Sequence, residues 1–222
     1  MADETAVADE TAETLAAPAG ARGPSLAVDR RKVALWEFTG GLVIFFVGSF
    51  LHFLFELSGF AVVAAPFASV NESTWEHLKL FYWPAVLFAV VQHAYTRHEV
   101  NNFWAAKGAS IVITPLTIAV GFYAYVGVVV PIYGKGALIG TLITAAIGVA
   151  LGQAASYRLL TGAPRGRAAH LLGVTAILAM GAAFVLFTFL PPRVFLFENF
   201  FGYVYDGGFG ILPDYTPFLV FK

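Results

Sequence analysis

The chain has no cysteine among its 222 residues. That excludes a disulfide framework, a thiolate nucleophile and a cysteine-bound metal, and it leaves the compartment undecided. Charge is scarce too. Asp, Glu, Lys and Arg make up 12% of the residues, against 59% hydrophobic, whereas a soluble domain carries about twice that charged fraction. No large basic surface is present, so nucleic acid is not an expected partner. The acids are unevenly spread, with five of the fourteen inside the first thirteen residues. That start is acidic and no apolar core precedes Arg30, so it does not read as a secretory signal.

What the chain does have is long apolar runs, and the mean hydropathy is +0.75. Five runs, residues 33–60, 76–95, 108–130, 136–156 and 168–190, are each near or above the roughly 20 residues that cross a bilayer as helix. The expected fold is all-α: a polytopic transmembrane helical bundle of about five spans, with the lipid bilayer as its surroundings. Residues 1–28 repeat ADETA twice and are expected to be a disordered, acidic, low-complexity tail. Residues 29–192 form the transmembrane domain. Residues 193–222 form an aromatic, Gly-rich tail in which Tyr205-Asp206-Gly207-Gly208 is expected to turn a hairpin.

Basic residues set the orientation. With the N-terminus in the cytoplasm, the inner segments hold Arg22, Arg30, Arg31, Lys32, Arg97, Lys107, Arg158, Arg165 and Arg167. The outer segments then hold only Lys79, Lys135, Arg193 and Lys222. An odd number of spans puts the C-terminus outside, and the cell membrane is the expected location. Trp36 and Trp104 mark one interface, Trp75 and Trp83 the other.

The stretch over residues 66–84, PFASVNESTWEHLKLFYWP, concentrates the polar chemistry. Ser69 with Glu72, and Ser73 with Glu76, each fit a capping box, so a helix is expected from about Asn71 to Tyr95, bent near Pro84. On it Glu72, Glu76, Lys79 and Trp83 share a face. His52 and Glu56 stand one turn apart near the end of the first run. Short connections make the two helices neighbours, and His52, Glu56, Glu72, Glu76, His77 and Lys79 become one candidate polar cluster.

Three functions compete for that cluster. It can serve a small transporter, with glutamates as proton carriers. It can hold a metal ion through His52, Glu56, Glu76 and His77, with Glu72 as general base of a metal-dependent membrane hydrolase. It can also be a structural lock in which the groups satisfy one another. No HExxH or other metal spacing is present to choose among them, and no cofactor is specified.

Small residues recur at Gly136, Gly140, Thr144, Gly148, Gly152 and Ser156. Such a ridge admits a close helix partner. The following run, with Ala169, Gly173, Ala176 and Ala183 on one face, is the expected one, and a homodimer seam is the alternative. Glu37 is expected to snorkel at the interface or to pair with Arg97. Gln153 and His170 are expected to bond across the last two runs.

The string VNESTWEHLK (residues 70–79), preceded by LHFLFELSG, resembles the signature of a family of small multi-pass prokaryotic membrane proteins with a domain of unknown function. The resemblance extends over about residues 37–192. It implies integral membrane location and carries no catalytic residues over to this chain.

The orientation is directly testable. A C-terminal alkaline phosphatase fusion is expected to be active and a C-terminal green fluorescent protein fusion dark; the reverse pattern removes the five-span, N-in arrangement.

Overall fold

Asp29 starts the first long helix. Its carboxylate accepts from the backbone N–H groups of Arg31 (2.9 Å) and Lys32 (3.1 Å), satisfying two of the donors that a helix start leaves open. Its charge also offsets the three basic residues that follow at the positive end of the helix dipole. The helix, α1, covers Arg30–Leu51. The structure is a computed structural model that describes residues 26–213, 215 and 216; the ADETA repeats lie outside them. After α1 come a short turn of helix, α2 (Leu54–Leu57), and then α3 (Thr74–Thr96), α4 (Phe103–Tyr133), α5 (Leu138–Leu160) and α6 (Arg167–Phe189). The architecture is an all-helical polytopic bundle, with no strand among the described residues.

Four helices, α1, α4, α5 and α6, are long and apolar enough to cross a membrane. Apolar side chains such as Phe38, Phe46, Val120, Ile132 and Leu172 stand exposed on them, as surfaces facing lipid would. Helix α3 has 23 residues, as many as α5 and α6, but it carries the polar motif. It turns those residues inward: Glu76, Lys79, Gln92 and Thr96 are all buried. It packs against α1, α4 and α6, while α4 lies between α5 and α6.

The small-residue ridge of α5 has a different partner from the expected one. It faces α4. A Cβ on Gly148 would stand 2.3 Å from Ile118, and one on Gly152 would stand 2.0 Å from the Thr114 hydroxyl. Gly140 is covered by Tyr125, and Gly136, which precedes α5, by Tyr203. The reason is complementarity: α4 offers Ser110, Thr114 and Pro115 as a matching shallow face. Helix α6 instead reaches α4 through Gly173. A Cβ on Gly108 would lie 2.4 Å from the Gly173 Cα, and one on Gly173 would lie 2.2 Å from the Trp104 carbonyl oxygen. The two backbones touch there, as small residues allow in lipid.

Glu37 also differs from expectation. It is buried and accepts from Lys107 Nζ (2.7 Å) and Gln92 Nε2 (2.7 Å). Lys107 also donates to Ser156 Oγ (3.0 Å), and Gln153 donates to the Glu37 carbonyl (2.9 Å). Arg97 bonds to His98 instead (2.9 Å), and Gln153 has Ser110 rather than His170 as its side-chain partner. This network joins α1, α3, α4 and α5 near the end of the bundle where α1 begins. An ion pair inside the bundle meets its partners at once, whereas a snorkelling acid would need free chain length that a Glu near mid-turn lacks.

At the opposite end the chain between α1 and α3 folds back on itself. Helix α1 stops at His52, and Gly59 (φ 67°) and Phe60 (φ 62°) reverse the direction. Phe55 anchors the segment. It is fully buried in a cluster with Ala65, Ala68, Val70 and Tyr215. The residues after α6 close over the same end: Trp75 N–H donates to Leu196 O (3.0 Å) and Leu212 N–H to Val70 O (3.3 Å). The expected hairpin around Tyr205–Gly208 reduces to one antiparallel bridge, Glu198 with Phe209.

The α4–α6 contact generates a prediction. Gly108→Val places a branched side chain against backbone, and overpacking of this kind costs about 1–3 kcal/mol or more. Detergent-purified G108V should melt several degrees below wild type, while G127V, where a Cβ meets nothing within 4 Å, should not. Equal melting temperatures would show that the contact does not hold.

Candidate metal centre

The site forms where α1 ends, α3 begins and the C-terminal segment crosses over them. Ser73 caps α3, its hydroxyl accepting from Glu76 N–H (3.3 Å). The helix therefore begins at Thr74, three residues later than expected, because Asn71 takes the place of a helical turn. Its Oδ1 accepts from Ser73 N–H (2.8 Å) and its Nδ2 donates to Gly210 O (2.7 Å). Only half of the capping box forms. The Glu76 side chain turns away from Ser73 N–H and accepts from Val70 N–H (3.1 Å).

Glu72 is thus left outside the helix, in the last extended residues before it. Its N–H donates to Asn199 Oδ1 (2.8 Å), which ties it to the C-terminal segment. Its carboxylate reaches two histidines: Oε1 is 3.7 Å from His52 Nε2 and Oε2 is 3.4 Å from His77 Nε2. The two histidine Nε2 atoms stand 3.0 Å apart. One ligand atom from each of His52, Glu72 and His77 therefore lies within 4.8 Å of the others.

The six candidates of the polar stretch divide. Three, His52, Glu72 and His77, converge. Glu76 and Lys79 form a separate, fully buried pair (2.5 Å). Lys79 Nζ also donates to Ala65 O (2.8 Å) and Thr188 Oγ1 (2.7 Å), and all three of its protons are used. Glu56 lies in α2 beyond the break after α1 and is not among the three that converge. The structure thus gathers His52 and His77 with Glu72, not with Glu56 and Glu76. Glu72 sits at ligand distance rather than one step back as a base.

The three separations suit a metal. Zinc binds imidazole nitrogen and carboxylate oxygen at about 2.0–2.2 Å, so two ligand atoms of a tetrahedral site lie about 3.3–3.5 Å apart. The imidazole nitrogens at 3.0 Å and His77 at 3.4 Å from Oε2 lie near that value, while His52 stands 3.7 Å from the other carboxylate oxygen, Oε1. The tautomer of His77 also fits. Its Nδ1 lies 2.8 Å from Ser73 O; a carbonyl only accepts, so Nδ1 carries a proton and Nε2 is the nitrogen that faces the cluster. A backbone carbonyl in this role orients a metal-binding histidine. Tyr215 does the same for the carboxylate, its hydroxyl donating to Glu72 Oε1 (2.8 Å). His52 Nδ1 is buried with no partner.

Protonation follows the same geometry. Burial opposes charge on Glu72, but the hydrogen bond from His77, the charges of His77 and His52 and the Tyr215 hydrogen bond outweigh it and bring the carboxyl down to about 2. Burial and the neighbouring His77 lower His52 to about 4, against the pull of Glu72. At neutral pH Glu72 is ionised and His52 is neutral, the states that metal ligands require, while the proton that His77 donates to Glu72 is the one a metal ion displaces. Burial and Glu72 push the Tyr215 hydroxyl up, so it keeps the proton it donates. The side chains of His52, Glu72 and His77 retain 20%, 15% and 33% of their exposure, so the cluster opens to one side.

Sequence reading missed Tyr215, Asn199 and Thr188, which hold the site from the far end of the chain. The signal was slight: a lone threonine near the end of α6 and isolated polar residues in an aromatic, Gly-rich segment, with no spacing that points back to residues 66–84.

The Glu76–Lys79 pair supports this arrangement and can be tested alone. Lys79→Met leaves a buried carboxylate without its cation, which costs about 3–5 kcal/mol. Thermal unfolding in detergent should show a large loss for K79M and partial recovery in the double variant E76Q/K79M. A K79M protein as stable as wild type would remove the pair from the account.

Comparison with known proteins places the chain. A family model described as a family of unknown function, DUF6512, matches residues 28–210, and the chain belongs to that family. No curated protein and no solved structure matches it.

Proposed function

We propose that this family member is an integral membrane protein that binds one divalent transition metal ion, zinc by ligand type, at the membrane–water boundary through His52, Glu72 and His77. The observation that carries the reading is the convergence of two imidazole nitrogens and one carboxylate, from the end of α1, the approach to α3 and α3 itself, with ligand atoms within 4.8 Å of one another. Three protein ligands and an open side are the pattern of catalytic zinc rather than structural zinc, which is closed by four. A metal so held acts as a Lewis acid and makes water reactive near neutral pH.

The reading therefore favours metal-dependent hydrolysis at the bilayer surface over transport. Glu76, a proton carrier in the transport reading, is engaged by Lys79 and Val70. We place the site on the outer face of the cell membrane, since the basic residues flanking α1 favour a cytoplasmic N-terminus. The second reading is a hydrogen-bonded lock. It rests on the Tyr215, Glu72, His77 and His52 contacts, which tie the two ends of the chain together without an ion.

Elemental analysis separates the two. Full-length protein purified in detergent and exposed to zinc, then desalted, should retain about one zinc per chain. His52→Ala and Glu72→Ala should each lose most of it, and Glu56→Gln should keep it. Wild-type protein without bound metal after the same treatment would leave the lock as the function of these residues.

A further inference from the structure

The loop between α5 and α6 lies at the other end of the bundle, where α1 begins. It borders a cleft of about 600 Å³ whose lining includes Asn102, Arg158, Arg165, Gly166, Ala168 and Ala169. Two asparagines hold the loop in shape. Asn101 Nδ2 donates to Gly162 O (3.0 Å), and its N–H donates to Leu160 O (3.0 Å). Asn102, buried and at φ 54°, donates from Nδ2 to Leu159 O and Ala163 O (both 2.9 Å) and accepts from Arg165 N–H (2.6 Å). The cleft wall is therefore held by hydrogen bonds from the two residues that precede α4.

Its charge is uncompensated. No Asp or Glu occurs between Glu99 and Glu198, so α4, α5 and α6 carry no acid at all. Among the described residues Arg158, Arg165 and Arg167 enter no ion pair; the five ion pairs all lie elsewhere. Arg158 and Arg165 are exposed at the mouth of the cleft. Gly166, the N-cap of α6, contributes no side chain to cap the helix, so the first turn of α6 adds its dipole to the same positive field. One turn further along α6, Leu171 and Leu172 are 55% and 71% exposed. The cleft thus sits where the polar end of the bundle meets the lipid-facing surface.

We propose that this cleft binds a phosphate group, carried by the headgroup of an anionic phospholipid. Arginine suits phosphate because its planar fork of donors matches the oxygens in pairs, and basic pockets at membrane interfaces are a recognised way of holding lipid headgroups. The exposed leucines favour the lipid as source, since acyl chains can lie along α6 while the headgroup occupies the cleft. Soluble phosphate shares the anchoring chemistry and lacks that second contact. The site is remote from His52, Glu72 and His77 and does not rest on them.

The test uses full-length protein in nanodiscs of equal phosphatidylglycerol and phosphatidylcholine, released into native mass spectrometry, with inorganic phosphate titrated separately in detergent. Arg158→Ala/Arg165→Ala is the site variant, and Arg97→Ala, an exposed arginine at the same end, is the control. Wild type and R97A should retain phosphatidylglycerol over phosphatidylcholine, and R158A/R165A should lose about tenfold of that preference. Saturable binding of inorganic phosphate, abolished by R158A/R165A and without lipid preference, would keep the phosphate site and assign it a soluble source. Equal retention of both lipids by wild type, with no phosphate binding, would overturn the proposal. So would an unchanged preference in R158A/R165A.

Discussion

A charge buried among apolar helices has to be met by another charge or by hydrogen bonds, and the Glu76–Lys79 pair is where this fold meets that requirement most fully. The lysine gives its protons to Glu76, to the carbonyl of Ala65 and to Thr188 of α6. The glutamate in turn receives Val70 N–H. Neither group is worth much as a source of stability, because desolvation offsets most of the attraction. Their value is in position. Ala65 and Val70 from the segment before α3 and Thr188 from α6 satisfy this pair together, and that arrangement folds residues 65–70 against α3 and α6. Everything that follows at the site hangs from it. With Val70 and Asn71 held, Glu72 emerges from the backbone beside His77 and faces the end of α1.

The chemistry depends on the irregular backbone there. Were the chain helical from Asn71, as its capping signals allow, Glu72 would share a face with Glu76 and point into the same buried pair. Asn71 substitutes its side chain for a turn of helix, Glu72 stays outside, and the carboxylate meets imidazoles from two helices. Non-helical backbone inside a bundle needs partners for its polar groups. Here the C-terminal segment covers it, through Gly210, Asn199 and Tyr215. The aromatic, Gly-rich tail is therefore part of the site, supplying contacts that orient the carboxylate.

Much of the architecture was legible in the sequence because apolar run length has few alternative meanings. Each of the five runs holds one long helix, the first of them ending at Leu51 rather than near residue 60, and the stretch around the WEHLK string did hold the polar site. What was not legible depended on partners. A ridge of Gly136, Gly140, Gly148 and Gly152 states that some backbone approaches, and only the shape of the facing helix decides that it is α4 rather than α6. Lys107 looked like a loop residue because WAAKGAS is weakly apolar; α4 begins earlier, and the lysine falls inside to meet Glu37. The grouping of His52 with Glu72 and His77, in place of Glu56 and Glu76, follows from a break after His52 and a helix that starts three residues late. Boundaries of that size lie below what patterning resolves, yet each turns a side chain through most of a turn and so changes which groups can meet.

The function proposed for the site requires that two imidazoles and one carboxylate bind the same ion. X-ray absorption at the zinc edge of the metal-loaded, full-length protein tests it directly. A first shell of nitrogen and oxygen at about 2.0–2.1 Å with the outer-shell scattering of two imidazoles is expected, and one imidazole fewer around the residual zinc that His52→Ala retains. A shell of oxygen alone, or one unaltered in the variant, would contradict it and leave His52, Glu72 and His77 as a hydrogen-bonded joint between the two ends of the chain.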